Sequence, residues 1–174
     1  QLIETVEEVE SLSFPPGAKL AYLTQTTLSV DDAKNILEAL KRKFPSIEGP
    51  KKEDICYATQ NRQEAVRILA PEVDAVLVVG SQNSSNSQRL AELGRFSGKP
   101  SYLIDGPEQI QAEWLEGKST LLVTAGASAP EEIVQACLDV LKNRYGAQVQ
   151  PRHIREEKVV FGLPKELRSV ASSP

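Results

Sequence analysis

The sequence predicts an α/β fold built from repeated βα units with parallel strands. Short apolar runs alternate along the chain with longer stretches in which apolar residues recur at helical spacing, the pattern that parallel βα units produce. The longer stretches also carry helix start signals, such as the S-x-x-D capping box from Ser29 to Asp32. The apolar runs that we predict as strands are residues 19–24, 75–79, 100–104 and 120–124.

Helices are predicted between and after these strands. The first follows the Ser29 capping box, and the second is expected to begin near Asn61, which opens a similar box. Pro107 suits a first helical turn, because a proline there loses no helical hydrogen bond, and Ile110 and Trp114 are predicted to lie further along the same helix. The last long helix is predicted to open at residues 128–130 and to stop at Gly146.

One internal boundary is indicated. Gly49 and Pro50, followed by a short charged stretch, interrupt the apolar periodicity. We therefore assign residues 1–50 to part of one α/β lobe and residues 51–148 to a more complete lobe. Residues 149–174 are predicted to form a carboxyl-terminal segment and tail.

Bulk composition excludes several classes of function. The chain has 174 residues and a formal net charge of −4, and its Lys and Arg residues are scattered, so no nucleic-acid surface or basic membrane patch is predicted. No apolar run approaches the ~18 residues of a membrane span, and no signal-peptide pattern opens the chain. Two cysteines give no disulfide framework, which favours a reducing, cytoplasmic setting. Because it opens with Gln1 within a structured unit, we expect the chain to be a piece of a longer protein.

Four predicted strand-to-helix loops share an unusual composition. Hydroxyl and amide side chains recur in them, and Lys and Arg do not. Because parallel strands deliver the loops that follow them to the same edge of a sheet, all four are predicted to lie at its carboxyl edge, beside helix N-termini that attract anions. This composition predicts a phosphate or diphosphate site, although caps and turns alone also explain it. Neither nucleotide-binding glycine motif is present, so a nucleotide is not the leading ligand. The loops are residues 24–27, 56–59, 80–87 and 125–128.

The two cysteines have different surroundings. Cys56 is predicted to follow a short strand and to precede a helix, a position that favours a thiolate able to act as nucleophile, metal ligand or cluster ligand. Structural packing is the alternative role. Cys137 lies on the apolar stripe of the last helix, where a buried, inert thiol is expected.

A phosphatase is one alternative function. Cys56 and Arg62 have the C-x5-R spacing by which phosphatases of the tyrosine-phosphatase type place a thiolate and a guanidinium around one phosphate. However, the intervening residues contain no glycine, which loops that wrap a phosphate with successive N–H groups usually need. Gln63 also stands where those enzymes have Ser or Thr.

Several long strings identify a known family. In TQTTLSVDD, DICYAT, NRQEAV, VLVVGS, NSSNS, RLAEL, VTAGASAP and FGLPKELR the chain resembles the 4-hydroxy-3-methylbut-2-enyl diphosphate reductases of the LytB family. The resemblance runs from about Leu20 to Arg168 and implies part of a three-lobed α/β reductase architecture. It also implies the last step of non-mevalonate isoprenoid biosynthesis. In that step a two-electron reduction at a 4Fe-4S iron–sulfur cluster removes the hydroxyl of an allylic diphosphate, giving isopentenyl and dimethylallyl diphosphate.

The resemblance also implies roles for individual residues. Cys56 matches the last of three cysteine ligands of the cluster, which is ordinary thiolate ligation. Thr59 and Gln25 border the site by analogy, and no catalytic residue is implied in this chain. The residues that match the family's diphosphate-binding positions are Thr26, Ser84, Ser85, Asn86 and Ser128.

The chain departs from the family in length. Full-length members are nearly twice as long, and their amino-terminal part carries the other two cluster cysteines, the diphosphate-binding histidines and a proton-delivering glutamate. None of those motifs occurs here, and His153, the only histidine, is predicted to lie at the surface. We therefore expect a carboxyl-terminal half that is inactive alone and needs the amino-terminal half and a ferredoxin- or flavodoxin-like electron donor. A non-catalytic phosphate-binding lobe is the remaining alternative.

Overall fold

Five α-helices and three strands make up the part of the chain that is described. The computed structural model describes residues 1–50 and 54–156, together with residues 162 and 164. No helix within these ranges is both long enough and apolar enough to cross a bilayer. The elements are α1 (Val6–Ser11), α2 (Val30–Lys43), α3 (Tyr57–Leu69), β1 (Ala75–Val79), α4 (Ser85–Phe96), β2 (Ser101–Ile104), β3 (Leu121–Ala125) and α5 (Glu131–Tyr145), with 3-10 turns at Ala70–Glu72, Pro107–Gln109 and Ala112–Trp114.

The three strands form one parallel sheet in the order β2-β1-β3. Val76 of β1 lies opposite Ser101 of β2 and Leu122 of β3. Every residue of β1 is buried, because the strand has a neighbour on each side and helices on both faces. The α/β prediction is confirmed, as are three of the four predicted strands, to within one residue at each end.

Helices cover both faces of the sheet. On one face, Val66 of α3 and Leu90 of α4 pack against β1. On the other face, Cys137 and Leu141 of α5 pack against β1. The predicted core position of Cys137 is confirmed, and burial raises the pKa of its thiol.

The first two helices have an apolar cluster of their own. Val9 of α1 packs with Ala39 and Leu40 of α2. A reciprocal capping box between Thr5 and Glu8 starts α1. With six residues, α1 is too short for helical periodicity to identify it from sequence.

The strand predicted at residues 19–24 is wrong. Within the described residues this segment makes one isolated parallel bridge, between Ala21 and Glu48. The backbone N–H of Thr24 donates instead to the side chain of Asp54, at 2.8 Å. An apolar run becomes a strand only where a neighbouring segment extends the hydrogen-bonded ladder, and here the neighbour ends at a Gly-Pro pair.

Helix α3 begins earlier than predicted. Its N-cap is Cys56, and Tyr57 is already helical, so the predicted start near Asn61 is wrong. The short strand predicted before Cys56 is also wrong, because residues 54–56 pair with no strand of the described chain. No Gly or Pro lies between residues 57 and 61 to stop the helix from extending back to the cysteine.

Two other helix signals are confirmed, and a third is confirmed only in part. The hydroxyl of Ser29 accepts a hydrogen bond from the backbone N–H of Asp32 at 3.3 Å and caps α2. Pro107 opens only the 3-10 turn Pro107–Gln109, because Ile110 is extended and Trp114 lies in a second, separate 3-10 turn. Gly146, at φ 68°, ends α5 in the left-handed conformation that favours glycine.

The division into domains stays a prediction. Residues 51–53 of the proposed boundary lie outside the described residues, as do residues 159–161 and most of the FGLPKELR string. Residues 149–156 contain no helix or strand, and His153 is exposed, as predicted. Arg155 forms an exposed ion pair with α3, which does not decide whether the segment belongs to either lobe.

Side chains cover the outer edge of β2. The amide of Gln82 donates to the carbonyl of Leu103 at 2.7 Å, and the guanidinium of Arg95 donates to the carbonyl of Ser101 at 3.4 Å. These two carbonyls point away from β1, since an edge strand leaves alternate backbone groups without a ladder partner. Helix α4 and the loop before it therefore supply hydrogen-bond partners to the strand edge.

Asp74 joins β1 to β3 at the amino end of the sheet. Its carboxylate accepts hydrogen bonds from the backbone N–H groups of Ser119 and Thr120 at 2.8 and 2.9 Å and from the Thr120 hydroxyl at 3.0 Å. These bonds, that from Ser119 first, hold the pKa of Asp74 below the ordinary aspartate value. The carboxylate thus fixes the register at which β3 enters the sheet.

Ser87 of α4 closes the carboxyl end of the sheet. The backbone N–H groups of Gly80 and Gly126 continue the ladders by donating to Ile104 and Val79, at 2.8 and 2.9 Å. A Cβ atom at either glycine would collide with the hydroxyl oxygen of Ser87, which is fully buried. The loops after β1 and β3 therefore meet the first turn of α4 only because both positions are glycine.

Asp74→Asn is expected to lower stability near neutral pH and to matter less in acid. A depressed pKa in the folded state contributes stability that is present above the unfolded-state pKa and is lost as pH falls through the folded-state value, below about pH 4. Urea unfolding of both proteins at pH 7, 5 and 3 measures this difference. Asp139→Asn, which removes the same charge from an exposed position beside Lys142, is the control. Equal losses for both variants at every pH would contradict the assignment.

Gly126→Ala is expected to destabilise the chain by about 1–3 kcal/mol, as overpacking does. Adding Ser87→Ala should restore most of that loss, because the remaining Ser87 Cβ would lie 3.5 Å from the new methyl. Ser87→Ala should rescue Gly80→Ala only in part, because there the new methyl would lie 3.0 Å from the Ser87 Cβ. A double-mutant cycle by urea unfolding measures both couplings. Additive effects at both glycines would show that Ser87 is not the obstacle.

Candidate functional site

Cys56 lies at the start of α3 with its side chain exposed. It is the N-cap residue, and its thiol makes no capping hydrogen bond. Its backbone N–H donates to the carbonyl of Thr26 at 3.0 Å. The first turn of α3 therefore presents a free sulfur next to the loop that precedes α2.

The loop before α2 also reaches the start of α4. The hydroxyl oxygens of Thr27 and Ser85 lie 2.8 Å apart. Thr26 is exposed. Its carbonyl is bonded to Cys56, and the next residue, Thr27, is bonded to Ser85. The loop thus connects the N-terminus of α3, which carries Cys56, to the N-terminus of α4.

The first turn of α4 carries three of the predicted diphosphate-binding residues. Ser84 is the N-cap, and its hydroxyl accepts from the backbone N–H of Ser87 at 3.4 Å. Ser85 is exposed beside Thr27. Asn86 is only 4% exposed, and neither its amide oxygen nor its amide nitrogen has a hydrogen-bond partner among the described residues. A buried amide without partners costs free energy, so this side chain is a candidate to bind something from outside the chain.

Ser128 lies in the turn between β3 and α5. It is exposed, two residues after Gly126 and two before Pro130, the N-cap of α5. The amide nitrogen of Asn86 lies 3.8 Å from the position that a Cβ on Gly126 would take. The turn that carries Ser128 therefore begins against the first turn of α4.

These contacts bring the predicted residues to one region of the molecule. The connection runs from Cys56 through the loop of Thr26 to Ser85, and from Asn86 to the turn of Ser128. The structure thus joins the loops that the sequence analysis placed at one edge, although only two of the four follow strands of the sheet. The binding roles of the residues stay predictions.

Among the described residues, helix N-termini supply partial positive charge to this region. The first turns of α3 and α4 contain no acidic residue, whereas α2 has Asp31 and Asp32 there and α5 has Glu131 and Glu132. Uncompensated helix N-termini attract anions. Of the four helices that start here, α3 and α4 are therefore the two whose N-termini are available to an external anion.

The described residues cannot hold a metal cluster by themselves. No group of three or more His, Cys, Asp or Glu side chains comes together within residues 1–50 and 54–156. Cys137 is buried on the opposite face of the sheet and cannot join Cys56. Cys56, free and exposed, fits the role of one thiolate ligand, with the other ligands coming from elsewhere.

The geometry disfavours the C-x5-R alternative. Residues 57–62 belong to α3, and the N–H groups of Thr59 and Gln60 already donate to the carbonyl of Cys56 rather than facing a loop that wraps a phosphate. The guanidinium of Arg62 donates to the carbonyl of Ala58 at 3.2 Å, one turn back along the helix. The phosphate-binding loop that this alternative needs between Cys56 and Arg62 is therefore a helix instead.

Three residues make contacts in this region that were not predicted from sequence, although Thr27 belongs to the predicted loop 24–27. Thr27 contacts Ser85, Asp54 binds Thr24, and the buried amide of Gln63 bonds the backbone of the loop before α2. Gln63 does have a sequence signal. It occupies a core-facing position of α3, where helical spacing calls for an apolar residue.

The chain is similar over nearly its whole length to known proteins. The 4-hydroxy-3-methylbut-2-enyl diphosphate reductase of Rhodopirellula baltica is 52% identical over 171 residues, which are 98% of this chain and 54% of that protein. The protein of the same name from Serratia proteamaculans is 54% identical over 167 residues, covering 96% of this chain and 53% of the relative. The solved structure of the E-1-hydroxy-2-methyl-but-2-enyl-4-diphosphate reductase from Plasmodium falciparum matches with a TM-score of 0.87 at 34% identity, covering 98% of this chain and 54% of that one.

The chain thus spans about half the length of the curated relatives that it matches. The family model described as LytB protein matches residues 1–142. The chain therefore belongs to the LytB protein family.

Proposed function

We propose that this chain is the carboxyl-terminal half of a 4-hydroxy-3-methylbut-2-enyl diphosphate reductase, contributing one cluster ligand and part of the diphosphate site. The observation that carries the proposal is Asn86, whose buried amide lacks a protein partner at an α4 N-terminus that adjoins the Cys56 region. The names of the relatives give the reaction.

The diphosphate is bound by neutral groups. The hydroxyls of Thr26, Ser84, Ser85 and Ser128 and the amide of Asn86 donate to its oxygens, together with free N–H groups of the first turn of α4. Small side chains let the backbone approach the phosphates, and the helix dipole supplies part of the opposing charge. The match of these residues to the family's binding positions and their connection through the loop contacts support this assignment.

Cys56 would hold an iron–sulfur cluster near the diphosphate residues. A 4Fe-4S cluster, when bound, would supply reducing electrons and a Lewis-acidic iron. The balanced reaction consumes two electrons and two protons and releases the substrate hydroxyl as water. In this chain Cys56 would tie the cluster to α3, and Thr26, whose carbonyl accepts from the Cys56 N–H, would hold the diphosphate next to that ligand.

The remaining parts come from outside the chain. Two further thiolates, the proton donor and further diphosphate ligands belong to an amino-terminal half, and a ferredoxin- or flavodoxin-like protein delivers the electrons. The chain alone is inactive in this proposal. A binding lobe without catalysis is the competing function, and it predicts that adding the amino-terminal half creates no reductase.

The first test uses a chimeric reductase in which this chain replaces the matching part of the Rhodopirellula baltica protein. After anaerobic reconstitution with iron and sulfide, it should show cluster absorbance and reduce the substrate with dithionite. Cys56→Ser should lower bound iron and reduce turnover at least about a hundredfold, because the cluster loses a thiolate ligand. Cys137→Ala, which removes the core thiol, is the control. A Cys56→Ser chimera with full iron content and turnover would overturn the ligand assignment.

The second test concerns Asn86. Asn86→Ala should raise the KM of the chimeric reductase for the diphosphate substrate about tenfold to a hundredfold, the range for losing hydrogen bonds to a charged group. Asn86→Asp should be worse than alanine, because its carboxylate repels the diphosphate. Asn143→Asp, which adds the same charge at an exposed position of α5, should leave the KM unchanged. Equal KM values for Asn86→Ala and Asn86→Asp would show that this side chain does not face the diphosphate.

A further inference from the structure

Gln63 is a polar residue on the buried face of α3. Its side chain is 0% exposed. The amide nitrogen donates to the carbonyl of Leu28 at 2.8 Å, and the amide oxygen accepts from the backbone N–H of Val30 at 3.1 Å. One side chain therefore satisfies two backbone groups on either side of Ser29, the N-cap of α2.

This double hydrogen bond is one of several contacts that attach residues 24–31 to α3 and to the residues just before it. Before the helix begins, the carboxylate of Asp54 accepts from the N–H of Thr24, and the N–H of Cys56 donates to the carbonyl of Thr26. Within the helix, the Gln63 side chain bonds the backbone of Leu28 and Val30. One turn further along, Arg67 forms an ion pair with Asp31 at 2.8 Å. The segment 24–31 thus lies along α3 with an attachment at almost every second residue.

The attachments differ in strength. The ion pair of Arg67 is partly exposed, with 64% of the Asp31 side chain open to solvent, so its contribution is small. Thr24 and Asp54 are half-buried. Gln63 alone among these side chains is fully enclosed, where hydrogen bonds are strong and an unmet polar group is costly.

We propose that Gln63 is a positioning residue that sets where Thr26 lies and, through the Thr26 carbonyl, fixes the backbone of Cys56. It acts on the diphosphate site and the cluster ligand together without touching either. The role in catalysis rests on the proposed function, whereas the positioning of the loop does not.

The experiment compares three variants. Gln63→Met keeps the length of the side chain but removes both hydrogen bonds. Gln63→Glu keeps the acceptor for Val30 and sets a carboxylate against the carbonyl of Leu28. Val66→Ala, three residues along the same helix in the sheet-facing core, lowers stability without touching the loop and is the matched control.

Amide hydrogen exchange in this chain is the first readout. Gln63→Met should speed exchange at the N–H groups of Val30 and Cys56 about tenfold relative to Val66→Ala, after both are matched for global stability. The Cys56 amide is seven residues from the substitution, so a change there reports movement of the Thr26 carbonyl. Unchanged exchange at Cys56 would overturn the proposal.

Kinetics of the chimeric reductase is the second readout. Gln63→Met should raise KM about tenfold and lower kcat as well, since the displaced loop carries Thr26 and shifts the backbone of the cluster ligand Cys56. Gln63→Glu should also raise KM, whereas Val66→Ala should not. If Gln63→Met and Val66→Ala have the same KM, Gln63 is structural only. If the parent chimera does not turn over, the proposed function fails, and exchange at Cys56 still decides whether Gln63 positions the loop.

Discussion

The attachment of residues 24–31 to helix α3 determines the arrangement of the candidate site. A single apolar contact could not fix the position of this loop, because apolar contacts have no preferred direction. Hydrogen bonds are directional. The amide of Gln63 fixes the loop because it bonds a carbonyl on one side of Ser29 and an N–H on the other. The carbonyl of Thr26 then meets the amide of Cys56, and Thr27 meets Ser85. Two helix N-termini and one sulfur are thereby held in a common frame.

The N-termini of α3 and α4 attract anions through helix dipoles rather than through cationic side chains. Acidic residues occupy the first turns of α2 and α5, and the two on α2 pair with Arg67 and Arg89. The first turns of α3 and α4 have none. Lysine and arginine would carry long mobile side chains into the space that the proposed function assigns to a cluster and a diphosphate. Hydroxyls and backbone N–H groups bind the same oxygens at shorter reach and with less conformational entropy to lose.

Sequence predicted the elements whose determinants are local. The buried strand at β1, the Ser29 cap and the Gly146 stop each depend on residues within a few positions, and the structure has all three. The strand at residues 19–24 was wrong because a strand depends on a partner far along the chain. The core-facing position of Gln63 was a sequence signal, but its hydrogen-bond partners could not be predicted, since they lie 33 and 35 residues away. The family resemblance identified the candidate site residues, but only coordinates show which loops touch.

The side chains at the outer edge of β2 have a consequence for handling this chain. Gln82 and Arg95 occupy the carbonyls that a strand of a second molecule would need in order to extend the sheet. Intermolecular sheet growth at that edge would first have to displace both, one of them a cation that resists desolvation. The outer edge of β2 is therefore protected against fibrillar self-association during purification by residues of this chain alone.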